Sequence, residues 1–382
     1  MRAPAARRAA LDERVLTHAQ TTPLLPRWLF TLDGWNSHVR EKVERPDLAT
    51  CSPAGFPLSH DDRRLVYNSH LRLVLYPKFE QALLHAFHTF KANRHRSEGF
   101  LDRVIDGPAG TGKSYLLRAI GREYQAWVEG EDLSRATPSV IPVVHITVPY
   151  DSDGKVNWIW EIAHFLGLNP PPKDDQALWD QRRLPDMSIP VTHVLERAQT
   201  RMFLIDDIQR TNADQLGPAL HYFDYLRTKF GIGTIFCGTG ATDIIQAARV
   251  KADKLRDATT GLKERVNKDR VKAGASADLP KEQPVRSALP VTWLDPLQCH
   301  TASEQEVWLK VLKGFEDNLC LHHLSEHALT KHAEYLHKRT GGHFKHLSHL
   351  VCQAAIDAME QGDEDITLER LARIHVGHND DA

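Results

Sequence analysis

Residues 107–114 read Gly107-Pro108-Ala109-Gly110-Thr111-Gly112-Lys113-Ser114. They match the full GxxxxGK[ST] pattern, follow the β-rich run Arg103–Asp106 and open a helical stretch from Lys113 to Val128. That context is the one the pattern requires. Glycines at 110 and 112 let successive backbone N–H groups turn inward on phosphate oxygens, and the helix N-terminus adds its dipole. Lys113 would reach the β- and γ-oxygens and Ser114 would hold Mg²⁺. The expected ligand is therefore a nucleoside triphosphate, Mg-ATP above others, with Gly107 through Ser114 and the following Tyr115 forming its grip.

Outward from this loop, the chain alternates short β-rich runs with helical ones. The expected strands are Arg103–Asp106, Ile141–Val148, Met202–Ile205, Thr234–Cys237 and Val291–Leu294. The helices between them run from Asn157 to Leu166, Val191 to Gln199 and Ala213 to Phe230, besides the one after the loop. Such alternation is the sequence form of a parallel sheet covered on both faces, so the expected fold class is α/β, a P-loop NTPase core. A helical period is also read from Leu65 through Leu71, Leu83, Phe87 and Phe90, up to a polar break at Lys91–Gly99.

The division expected along the 382 residues is an N-terminal arm or adaptor over 1–65, broken by prolines, and an ATPase core over 66–246. A basic insert or linker over 247–288 follows, and then 289–382 with a last core strand and a helical lid. The lid helices are centred near Leu309, His332, Leu350 and Leu371.

A second signature lies at Met202-Phe-Leu-Ile205, an apolar strand ending in Asp206 and Asp207. Asp206 would accept hydrogen bonds from the water shell of the magnesium, and Asp207 would orient and polarise the attacking water. Many ATPases carry Glu at the second position; Asp is one methylene shorter, which implies slow hydrolysis. The run Thr234–Cys237 ends in Gly238-Thr239-Gly240, and the Thr239 hydroxyl is a candidate γ-phosphate sensor, against the plainer reading of a strand-to-turn glycine pair. In the lid, Lys345 begins a helix after Gly341-Gly342 and is either a cation over the nucleotide or part of a solvated helix start.

The insert carries Arg249, Lys251, Lys254, Arg256, Lys263, Arg265, Lys268, Arg270 and Lys272 against Asp253, Asp257, Glu264 and Asp269. It would contact DNA phosphates, supply an arginine finger, or simply face solvent. Formal net charge is −2, so any DNA contact must come from such a local patch. Five widely spaced cysteines without a CxxC pair suggest neither a disulfide framework nor a zinc ribbon, and point to a reducing cytoplasm. The cluster Cys320, His322, His323 and His327 lacks the partners of a recognised zinc pattern. No stretch reads as long and apolar enough to span a bilayer.

The order GPAGTGKS, LIDD, a strand ending GTG, and the lid segment TGGHFKHLSHLVCQAAIDAME resembles the AAA+ ATPases of transposition, the TniB and TnsC type, over roughly residues 65–375. The lid, with Ala354, Ala355, Ala358 and Gly362 in register, is the more specific part. The resemblance implies an ATPase that assembles on duplex DNA as a homo-oligomer, a ring or helical filament, and links a target-selection protein to a transposase. It also implies phosphate and magnesium binding by Lys113 and Ser114, magnesium binding by Asp206 and the catalytic acid position for Asp207. This sequence has Asp207 where the pattern has Glu, and a longer insert after Thr239; Arg249 and Arg256 stand there as finger candidates. A helicase-loader-like remodeller and a nucleotide-gated interaction protein with little hydrolysis are the competing readings.

Overall fold

Met202–Asp206 is an unbroken apolar run ending in a carboxylate, and every one of its residues is buried. A strand covered on both faces by helices needs that composition. It is an interior strand, second from one edge of a five-stranded sheet, in the computed structural model of the protein. The structure describes residues 10, 12–17, 29–40, 44–70, 74–132, 140–150, 156–168, 187–253 and 289–376.

The strands are β1 (Arg103–Asp106), β2 (Val143–Thr147), β3 (Met202–Asp206), β4 (Gly233–Cys237) and β5 (Val291–Trp293). They lie in the order β2-β3-β4-β1-β5, and every pairing is parallel. Each expected strand is present, with its ends within two residues of the expected ones and those of β1 unchanged. From β1 the chain leaves towards the β2 edge, whereas from β4 it crosses β1 to reach β5. Adjacent strands whose connections diverge leave a crevice at their C-terminal ends, where α/β proteins bind ligands. The phosphate loop leaves β1 there, Asp206 ends β3, and Gly238-Thr239 follows β4.

The helix Lys113–Asp132 packs against β1, β2, β3 and β4. On its other flank lies Pro77–Asn93. The helical period read from Leu65 is in fact two helices, Arg63–Ser69 and Pro77–Asn93, because Pro77 takes the first helical turn, where its missing N–H is harmless. Leu71 and Leu73 lie outside the described residues. Leu32–Arg40 packs on the phosphate-loop helix: Trp35 is fully buried, donates from Nε1 to Gln125 Oε1 at 2.7 Å, and stacks on His145 of β2 with ring centroids 5.3 Å apart.

Beyond β5, four α-helices follow among the described residues, at Ala302–Asn318, Ala333–Thr340, Phe344–Gln361 and Leu368–Arg373. Thr301 and Glu304 cap the first reciprocally. The segment before Pro77–Asn93 clasps this lid. Arg64, fully buried, bonds Glu364 at 2.7 Å and Asp62 at 2.9 Å. Asn68 exchanges two hydrogen bonds with the Cys320 backbone, and Gly55 donates to the Gly362 carbonyl.

Candidate nucleotide site

The phosphate loop is shaped by close approach as much as by turning. At Gly107, with φ +139°, an added Cβ would strike the Leu294 carbonyl oxygen, so the residue after β1 must lack a side chain. Asp106, not singled out from the sequence, ties this turn to the neighbouring strand end. Its Oδ1 accepts from the Gly107 amide at 2.7 Å and the Gly240 amide at 2.9 Å, and its Oδ2 from the Thr242 amide at 2.9 Å. Burial would push this carboxyl up, but those bonds outweigh it and hold it below the usual range. Thr111 Oγ1 bridges the loop to the Pro108 carbonyl at 3.0 Å.

Lys113 Nζ lies folded into the loop, donating to the carbonyls of Gly107 at 2.9 Å and Pro108 at 2.6 Å and to Thr239 Oγ1 at 3.2 Å. Burial pulls its pKa down, with Asp106, Asp206 and Asp207 among the charges opposing that. An ammonium satisfied only by neutral oxygens is a cation awaiting an anion. Ser114 Oγ donates to Asp206 Oδ1 at 2.9 Å, joining the loop to β3. Burial pushes the Asp206 carboxyl up, partly opposed by Arg118, whose guanidinium lies 3.9 Å from Oδ2. A serine hydroxyl and a carboxylate side by side are hard oxygen donors of the kind Mg²⁺ takes, so these residues fit that ion.

Asp207 has a left-handed backbone, φ 59° and ψ 40°. Its Oδ2 pairs with Arg210 at 2.8 Å and its Oδ1 accepts from Gln209 Nε2 at 2.9 Å. The other end of Gln209 accepts from the Thr239 amide at 3.2 Å. Arg210 also donates to the Val148 carbonyl at 3.1 Å. The acid is therefore held by its own chain rather than free in the crevice.

The lid closes over the loop by direct bonds. The Lys345 amide donates to Gly110 O at 3.0 Å, and His343 Nδ1 lies 2.9 Å from Ala109 O. Between lid and core is a cavity of about 480 Å³. Of the residues expected from the sequence, Ala109, Gly110, Gly112, Lys113, Ser114, Tyr115, Asp207, Thr239 and Lys345 line it. Gly107, Pro108, Thr111 and Asp206 stand behind that lining. Residues that sequence reading missed form an apolar wall of Val74, Phe79, Phe315 and Phe344, with Phe344 stacked on Tyr76 at 5.4 Å. Arg118 and Gln209 also line the cavity. Only Arg118 carried a signal, standing one helical turn after Ser114 and so on the same face.

The finger candidate Arg249 lies 3.8 Å from Asp102, just before β1 and thus at the opposite end of the sheet. Arg256 and most of the basic insert lie outside the described residues. Cys320 Sγ donates to the Pro46 carbonyl and His322 Nε2 lies 3.1 Å from the Ser52 carbonyl, both in the clasp on the lid.

Residues 96–243 match the family description "AAA domain". The fold is that of an AAA+ P-loop NTPase. Among solved structures, the Aeropyrum pernix ORC2 protein in its ADP form is similar with a TM-score of 0.52 at 12% identity, covering 81% of this chain and 71% of that one. The Aeropyrum pernix ORC1 protein in complex with DNA has a TM-score of 0.49 at 15% identity, covering 78% and 65%. At 12% identity the likeness of this chain to the ORC2 protein is one of fold. No curated protein matches the sequence. Among the described residues, no helix is long and apolar enough to cross a membrane.

Proposed function

We propose that this chain binds Mg-ATP between the phosphate loop and the helical lid, hydrolyses it slowly, and uses the nucleotide state to control its assembly on duplex DNA and its contact with a transposase. The observation that carries the nucleotide part is convergence on one cavity of Lys113, the Ser114–Asp206 pair, Asp207 and the lid residue Lys345. The transposition part rests on the motif order from phosphate loop to lid helix, and the DNA part on the basic run from Arg249 to Lys272.

In this reading the loop amides and the first helical turn take the phosphate oxygens, and Lys113 leaves the Gly107 and Pro108 carbonyls to pair with the β- and γ-oxygens. Ser114 and Asp206 would hold Mg²⁺, which would supply counter-charge for the transferred phosphoryl group. Thr239 senses the γ-phosphate, and Lys345 follows from the lid. Asp207 must part from Arg210 before it can accept a proton from water, which supports slow turnover.

The test is phosphate release with and without duplex DNA, beside nucleotide-dependent DNA association, for wild type and Lys113→Ala. Loss of both in the variant is expected; unchanged ATP affinity and DNA binding would refute the site. The held state of Asp207 also favours a second reading, a nucleotide-gated binder that scarcely hydrolyses. Tight ATP binding with no turnover on DNA would select it.

A further inference from the structure

Among the described residues, the one arginine lining the cavity is Arg118. It stands one turn beyond Ser114 on the phosphate-loop helix, and long side chains on a helix lean back towards its N-terminus, here towards the phosphate loop. Its nearest carboxylate oxygen is Asp206 Oδ2 at 3.9 Å, beyond hydrogen-bond reach, and its buried Nε has no hydrogen-bond partner. A guanidinium carries five N–H donors in a fixed fork suited to phosphate oxygens. One held in a polyphosphate-sized crevice, with a donor unmet and its ion pair loose, has capacity for a ligand. Among the described residues, Arg210 is engaged with Asp207 and Val148, and Arg249 of the insert with Asp102.

We infer that Arg118 supplies, within the same subunit, the arginine that contacts the terminal phosphate of the bound triphosphate, opposite Lys345 of the lid. This rests on the nucleotide reading of the cavity. A cation there stabilises charge on the equatorial oxygens of the phosphoryl group as it transfers, the task that an arginine finger performs whether it comes from the same chain or a neighbour. The site would then be complete in its arginine without a second copy.

The experiment measures binding of ADP and of a non-hydrolysable ATP analogue to the full chain, with Arg118→Gln and Arg118→Lys beside wild type. The expected result is a loss of about tenfold or more in affinity for the analogue in Arg118→Gln, little change for ADP, and partial recovery in Arg118→Lys. Equal weakening of both nucleotides would make Arg118 merely a counter-charge for Asp206 and overturn the inference. Phosphate release from an equimolar mixture of Lys113→Ala and Arg118→Gln chains tests the same-subunit claim: no recovery is expected, and restored turnover would overturn it. Lys113→Ala alone separates the layers. If that variant still binds nucleotide, the site reading itself fails; if it does not and Arg118→Gln discriminates between no ligands, only the role of Arg118 fails.

Discussion

Asp207 pairs a left-handed backbone with a carboxylate already engaged on both oxygens. Aspartate tolerates that backbone better than most residues, since its short side chain bonds locally. The Arg210 side chain is 40% exposed, so the pair is worth at most about 1 kcal/mol, or roughly fivefold in a rate that requires it to open. Arg210→Ala should therefore raise phosphate release by up to about fivefold while leaving ATP affinity within about twofold. An unchanged or lower rate, measured at saturating ATP, would show that Arg210 does not restrain the acid. His145 offers a separate test. Burial pushes its imidazole down to about 3, with Arg118 adding to the push and the Leu29 backbone opposing it. A folded pKa below the unfolded value of 6.5 makes the unfolded chain bind the extra proton. The stability is thus whole above pH 6.5 and is lost as pH falls towards 3. Between pH 7 and 5 this one group should remove about 2 kcal/mol. Denaturant unfolding at both pH values should find that loss smaller by this amount in His145→Phe, and an identical loss in the variant would remove His145 as its source.

At the scale of elements, the lid is a composite that sequence order conceals. The loop and the β3 acids were legible because each motif sits at the end of the strand that positions it, so residue type and neighbouring pattern suffice. Phe344, Phe315 and Val74 were not, because an apolar residue on a helix face or in a short extended segment is the same signal whether it fills a core or walls a ligand. Nor could the Arg64–Glu364 bond be foreseen, as it joins positions 300 residues apart. Buried with Asp62 and Glu364, Arg64 fastens Arg63–Ser69 to the end of Phe344–Gln361. Burial alone would lift the Asp62 carboxyl, but the Arg64 side chain and amide and the Ser52 amide hold it at about 2. A depressed carboxyl stabilises the fold above its unfolded value, 3.8, and that contribution is lost as pH falls through about 2. Removing a partner from a buried ion pair strands a charge, at a cost of about 3 kcal/mol or more. Glu364→Gln should lower thermal stability by that order near neutral pH, whereas a change under about 1 kcal/mol would mean that the clasp does not hold the lid.

For the molecule as a whole, the cavity lies where three parts meet: the C-terminal end of the sheet, the lid helices, and the stretch before β1 that supplies Val74 and Phe79. The same stretch continues upstream into the clasp on the lid. A ligand that fills this junction binds the folded chain and not the unfolded one, so it must stabilise by mass action. At 100 times its dissociation constant the gain is about 2.7 kcal/mol. The melting temperature should therefore rise with Mg-ATP concentration logarithmically, without saturating, as linkage requires. Lys113→Ala should melt near the wild-type temperature without nucleotide, because its ammonium bonds only neutral oxygens of its own loop and Thr239. It should gain little from Mg-ATP. Small-angle scattering should report a fall in radius of gyration on binding, since phosphate would draw Lys345, whose amide already bonds Gly110, further in over the loop. A melting temperature indifferent to Mg-ATP in the wild type would remove the cavity as a nucleotide site. A rise with no compaction would mean instead that the lid already stands closed before the nucleotide arrives.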